Sequence, residues 1–155
     1  MKNFFVIIFV SILFCSCQNL NFFERSVSIP QQNWNYNLRP IFSFKITDTT
    51  ARYNIFVVLR HTDAYKYNNI WIKAEMRFPG DTLQSQNIDI PLASDASGWK
   101  GSGMDDIFEI RKTITPGPIP FKKPGIYSFS LSQIMRENPL EHVLNVGIRI
   151  EKVIL

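Results

Sequence analysis

The chain has 155 residues, of which 45% are apolar, 14% aromatic and 19% charged; that suits one globular domain with a real core and is too short for two full domains. With only 7 Gly and 9 Pro it is not a low-complexity or disordered chain. Lys and Arg exceed Asp and Glu by 17 − 13 = 4, an excess spread along the sequence rather than gathered into runs, which excludes nucleic acid as the expected partner.

Met1-Lys2-Asn3 carries one positive side chain and leads into Phe4 to Phe14, an apolar run interrupted by a single Ser. A spanning helix needs about 20 apolar residues, so this shorter run reads as a secretory signal. It ends in Leu13-Phe14-Cys15-Ser16-Cys17, which resembles a bacterial lipobox. Cys17 follows the small Ser16 and is the expected lipidation site, carrying acyl chains such as palmitate; Cys15 follows the bulky Phe14. Residues 1–17 are therefore read as a lipoprotein signal peptide with lipidated Cys17. At about 0.8 kcal/mol per buried methylene, several acyl chains hold a protein on a membrane permanently. No cysteine follows Cys17, so the remaining domain is expected to be stabilised by apolar burial, without a disulfide or a thiolate-held metal.

Residues 18–33 are polar with a short apolar patch and read as a tether. Residues 34–155 read as a β-sandwich domain. Phe42, Phe44 and Ile46 interleave with Ser43, Lys45 and Thr47, which at strand period puts the apolar side chains on one face. Asn54 to Leu59 is a continuous apolar run expected of a central strand. Ile70, Ile72, Ala74, Met76 and Phe78 alternate with Trp71, Lys73, Glu75 and Arg77. Further alternation marks Ile88-Ile90-Leu92, Tyr127-Phe129-Leu131 and Leu144-Val146-Ile148-Ile150. Thr47 to Thr50, Pro79-Gly80-Asp81, Ser97-Gly98, Pro116-Gly117-Pro118 and Pro124-Gly125 favour reversal between them. About seven or eight short antiparallel strands of this kind pack most economically as two sheets face to face: an all-β, antiparallel β-sandwich, immunoglobulin-like or jelly-roll-like. One short helix is expected where Ser130 and Gln133 resemble a capping box and Asn138-Pro139 stops the element. Gly125-Ile126-Tyr127 resembles the tyrosine corner of immunoglobulin-like sandwiches.

Chemistry is harder to place. His61 and His142 lie in no metal-binding spacing. Gly98-Trp99-Lys100-Gly101-Ser102-Gly103 does not match a nucleophile elbow, so Ser102 is not expected to be catalytic. Asp95, Asp105 and Asp106 could offer oxygens to calcium, but without EF-hand spacing they read as solvated loop acids. No enzyme, metal or cofactor is therefore expected. The aromatics are more informative. Trp34 and Tyr36, then Tyr65, Tyr67 and Trp71, sit in polar company, with Lys73 and Arg77 on the Trp71 face and Trp99 in a Gly-rich loop. Such residues anchor partners; flanked by Asn and Lys they also suit a glycan-stacking platform. Tyr65, Tyr67, Trp71, Lys73, Arg77 and Trp99 are the candidate partner-binding residues.

Tyr53-Asn54-Ile55, Leu59-Arg60-His61, Tyr65 to Trp71, Gly98 to Gly103, Gly125-Ile126-Tyr127, Met135-Arg136 and Val146-Gly147-Ile148, in this order behind a lipoprotein signal, resemble the gliding motility lipoprotein GldH family of Bacteroidota. The resemblance implies a lipid-anchored accessory or scaffold subunit of the gliding motility and type IX secretion machinery, whose partners are envelope proteins of that apparatus. It implies no catalytic residues. A lipoprotein carbohydrate-binding module is the alternative. Gln18-Asn19 lacks the acidic cluster that marks surface export in these bacteria, so the expected location is the cell envelope, at the outer membrane and facing the periplasm.

Overall fold

The computed structural model describes residues 22–80 and 82–153; the signal segment and Cys17 lie outside them. Twelve strands are assigned among these residues: β1 (Phe22–Ser28), β2 (Ile41–Ile46), β3 (Arg52–Thr62), β4 (Asn69–Arg77), β5 (Gln84–Pro91), β6 (Ala93–Ser94), β7 (Gly98–Trp99), β8 (Ser102–Met104), β9 (Ile107–Thr113), β10 (Ile119–Pro120), β11 (Gly125–Gln133) and β12 (Val143–Lys152). One sheet runs β1-β12-β3-β9-β8, with β10 also on β3, the other β2-β11-β4-β5, and β6 and β7 form a small hairpin. Every pairing is antiparallel. The chain passes from one sheet to the other at β1–β2, β2–β3 and β3–β4, so the two main sheets are built together and share one core.

That core is what the alternation demands. Phe42, Phe44 and Ile46 from β2, Ile70, Ile72 and Ala74 from β4, and Tyr127, Phe129 and Leu131 from β11 are all buried and face Ile55, Val57 and Leu59 of β3 and Val146, Ile148 and Ile150 of β12 in a single apolar cluster. Phe44 is its aromatic hub, stacked on Tyr127 and Phe129 with ring centroids 5.8 Å away in each case and meeting Phe121 edge-on at 5.7 Å. Offset and edge contacts of this kind add about 0.5–1.5 kcal/mol each beyond area burial. The Asn54 to Leu59 run is central, paired with β12 on one edge and β9 on the other. Tyr127 Oη donates to the carbonyl of Lys123 at 2.7 Å, the backward bond of a tyrosine corner.

Two expectations are corrected. The segment read as a tether contains β1, which pairs residue by residue with β12 from Phe22↔Glu151 to Ser28↔Asn145. It is an edge strand with most side chains exposed, held by the backbone ladder, by Phe23, 5.6 Å from Phe44, and at its surface by the Glu24–Arg149 ion pair and the Asn145 amide, which donates to Ser28 Oγ at 3.0 Å. The expected helix is absent: Tyr127, Phe129, Leu131 and Gln133 are buried in alternation and β11 continues as strand to Gln133. The buried Gln133 amide is what disguised the pattern. Its Nε2 donates to the carbonyls of Trp34 at 3.2 Å and Glu137 at 3.1 Å, and its Oε1 accepts from the Met135 N–H at 2.8 Å. A buried polar group is tolerable only when satisfied in this way, and these bonds fold the following segment back over the end of the sandwich.

Candidate interaction surface

At that end the Met135–Glu137 segment lies beside the start of β4. The Trp71 N–H points to Met135 Sδ at 3.2 Å, and the Ile134 N–H donates to the Trp71 carbonyl at 3.0 Å. The indole itself faces outward, because Ile70 and Ile72 take the core face of β4; Trp71 is 42% exposed. Tyr36 reaches the same segment, its hydroxyl donating to the Met135 carbonyl at 2.6 Å while its N–H donates to Asn138 Oδ1 at 2.9 Å. Tyr36, Arg39, Lys73, Ser132, Ile134 and Met135 line a shallow groove of about 390 Å³. A second aromatic sits nearby: Tyr67, 37% exposed, donates to Glu137 Oε2 at 3.0 Å. Lys66 Nζ joins the same carboxylate and that of Glu141, each at 2.9 Å. The hydrogen bonds from Lys66 and then Tyr67 hold the Glu137 carboxyl below its ordinary range, and the Glu137 bond raises the Tyr67 hydroxyl.

Trp71 and Tyr67 are thus exposed as expected, and Lys73 lies on the same outer face, ion-paired to Glu75 at 2.6 Å. Three expected residues do not join this surface. Tyr65 is 3% exposed; it donates to the Asn69 carbonyl at 3.2 Å and meets Tyr67 edge-on at 5.8 Å, so it supports Tyr67 from beneath, and burial drives its hydroxyl upward. Trp99 is half-buried, its ring 4.7 Å from that of His61. Arg77 is exposed but six positions along β4 from Trp71, about 20 Å at strand rise, so it belongs to the opposite end. Trp34 is fully buried, its Nε1 donating to the Leu38 carbonyl at 2.9 Å. Ile134, Met135, Arg39 and Glu137 were missed: a strand-like β11 run ends just before three of them, and nothing local says that the chain then returns to Trp71.

The other candidates take ordinary structural places. His61 is buried between Trp99, Phe108 and Tyr65, its Nδ1 2.8 Å from the Thr62 carbonyl, and burial lowers its affinity for a proton. His142 is half-buried and lends its carbonyl to the Thr62 N–H at 3.1 Å. Ser102 stands exposed in β8 opposite Glu109. Asp95, Asp105 and Asp106 are exposed, and no group of three or more metal-capable side chains comes together among the described residues.

The comparisons with known proteins point one way. The chain is 29% identical over 155 residues to the gliding motility lipoprotein GldH homolog of Christiangramia forsetii, covering 96% of this chain and 94% of that one. It is 27% identical over 158 residues to the gliding motility lipoprotein GldH of Flavobacterium johnsoniae, covering 97% of each. Among solved structures, the likeness to tomato aspermy virus has a TM-score of 0.33 at 11% identity, over 99% of this chain and 94% of that one, too low to support any inference. The GldH lipoprotein family model matches residues 21–150, from the start of β1 to all but the last two residues of β12, and the chain belongs to that family.

Proposed function

We propose that this protein is a non-enzymatic, lipid-anchored subunit of the gliding motility and type IX secretion machinery. It is held through Cys17 at the periplasmic face of the outer membrane and acts by contacting envelope proteins. The family membership supports the motility role. The observation that carries the contact mechanism is the outward Trp71 and Tyr67, both tied to the Ile134–Glu137 segment, which with Tyr36, Arg39 and Lys73 also lines a groove through Ile134 and Met135. Trp and Tyr rings with a guanidinium nearby are the usual composition of a binding hot spot.

Removal of a central interfacial Trp or Tyr costs about 2 kcal/mol or more, roughly a thirtyfold loss of affinity. The experiment is complementation of a deletion strain with Tyr67→Ala/Trp71→Ala and with Arg39→Ala/Lys73→Ala, following protein level, colony spreading and secreted protease. The deletion is expected to abolish spreading, and both surface variants to fail at normal protein level. Full rescue by both overturns the surface assignment, and specific binding of the purified protein to soluble oligosaccharide, lost in Trp71→Ala, favours the glycan-binding alternative.

A further inference from the structure

The two ends of the sandwich differ in charge, and the end nearer Cys17 is the basic one. Phe22 opens β1 and lies 22 − 17 = 5 residue steps from Cys17, at most about 18 Å of fully extended chain. If Cys17 carries the lipid, as proposed above, that end of the domain cannot leave the membrane surface by more than this distance.

The residues gathered there suit such a place. Phe22 pairs with Glu151, next to Lys152 at the end of β12, and Tyr53, which follows Arg52, pairs with both Lys152 and Ile119. Phe22, Phe44, Lys45, Tyr53, Ile150 and Lys152 line one cleft of about 260 Å³. Lys45 is the cross-strand partner of Ile126, an aliphatic side chain 69% exposed. Lys122 and Lys123 are exposed between Phe121 and β11. The described carboxylates at this end are already neutralised: Asp48 by Lys152 at 2.7 Å and Glu151 by Arg149. Lys45, Arg52, Lys122 and Lys123 have no carboxylate partner among the described residues. The opposite end carries exposed Asp63, Asp95, Asp105 and Asp106, none ion-paired among the described residues, besides Glu137 and Glu141, which share Lys66, and exposed Lys100 and Arg136.

We infer that the anchor-proximal end is a docking surface for an acidic phospholipid bilayer, with Lys45, Arg52, Lys122 and Lys123 against the headgroup phosphates and Ile126 dipping into the interface. The anchor fixes which end is near the bilayer, and the charge fixes how that end is received: a basic side chain at an acidic surface changes partitioning about fivefold, while the unpaired aspartates of the far end are repelled. The sandwich then stands upright. β12 has 10 residues, about 33 Å at strand rise, so Trp71, Tyr67 and the Met135 groove are presented roughly that far from the lipid, where another envelope protein can reach them.

The test uses the mature lipidated protein reconstituted into vesicles, with one environment-sensitive fluorophore on Ile126→Cys or on Asp105→Cys. In vesicles containing 30% phosphatidylglycerol the label at 126 is expected to shift to the blue and to resist iodide quenching, and to lose both in pure phosphatidylcholine or in 0.5 M salt; the label at 105 stays water-exposed throughout. Lys45→Gln/Arg52→Gln/Lys122→Gln/Lys123→Gln in the Ile126→Cys background should leave the label in water, a change of about a hundredfold or more in the docked-to-free ratio. A label at 126 that stays in water in every vesicle while the protein floats with the lipid overturns the docking surface and leaves the anchor intact. Embedding that survives the fourfold substitution or high salt overturns it as well, as does crosslinking from 126 in native membranes to a protein rather than to lipid. Failure of the anchor reads out separately, as Cys17→Ser protein that remains in the membrane fraction of cells through the high-salt wash that releases the docked end.

Discussion

Gly147 of β12 lies directly opposite Ser26 of β1, so close that a Cβ on the glycine would stand 2.8 Å from the Ser26 Cβ and 2.6 Å from the Arg25 carbonyl oxygen. Real Cβ atoms do not approach backbone to that distance, so any larger residue must push the edge strand away. Gly147→Val is expected to lower stability by about 1–3 kcal/mol, the usual cost of overpacking. Amide hydrogen exchange should show protection lost across Phe22–Ser28 before the rest of the sheet. Unchanged protection of that segment would mean that β1 is not held by β12 in solution.

The tyrosine corner gives a measured step within one strand. Tyr127→Phe keeps the ring, which meets Phe121 at 4.6 Å, and removes only the hydroxyl that donates to Lys123, so about 0.5–1.5 kcal/mol of stability should be lost. Phe129→Ala, which empties a fully buried site beside Phe44, should cost about 3–5 kcal/mol. Chemical denaturation of both variants checks the ratio. Equal losses would show that the corner does more than close one hydrogen bond.

Acid should loosen the interaction surface before it unfolds the core. The Glu137 carboxyl is held below its ordinary 4.5, first by Lys66 and then by Tyr67. A carboxyl with a depressed folded-state pKa gives stability that is fully present above the unfolded value and is lost as pH falls through the folded one. Wild type should therefore melt above Glu137→Gln at pH 7, with the gap closing as pH is taken below 4.5. Thermal melts of the two proteins over that range test it, and equal melting at pH 7 would mean the Lys66–Glu137–Tyr67 tie contributes nothing.

Much of the fold was legible in the sequence because strand period is a local property. Phe42-Phe44-Ile46, Ile70-Ile72-Ala74 and Tyr127-Phe129-Leu131 each declare an inner face within a few residues, and those faces alone require two sheets over one core. The outward direction of Trp71 follows from the same count. What lay beyond reach depends on partners distant in the chain. β1 has one half-buried side chain and is held by backbone hydrogen bonds to β12, which any non-proline sequence can supply and none advertises. β9 buries only Ile110 and was not seen for the same reason. The helix expected after Ser130 failed because Gln133 is a polar residue in a core position, made tolerable by the Trp34 and Glu137 carbonyls and the Met135 N–H. The surface likewise needed the tertiary structure. Tyr65 and Trp34 look like Tyr67 and Tyr36 in sequence, each an aromatic among polar neighbours, and only tertiary contacts decide which rings are covered: Trp34 where Leu140 exchanges backbone hydrogen bonds with it, Tyr65 where the rings of His61 and Trp99 lie against it.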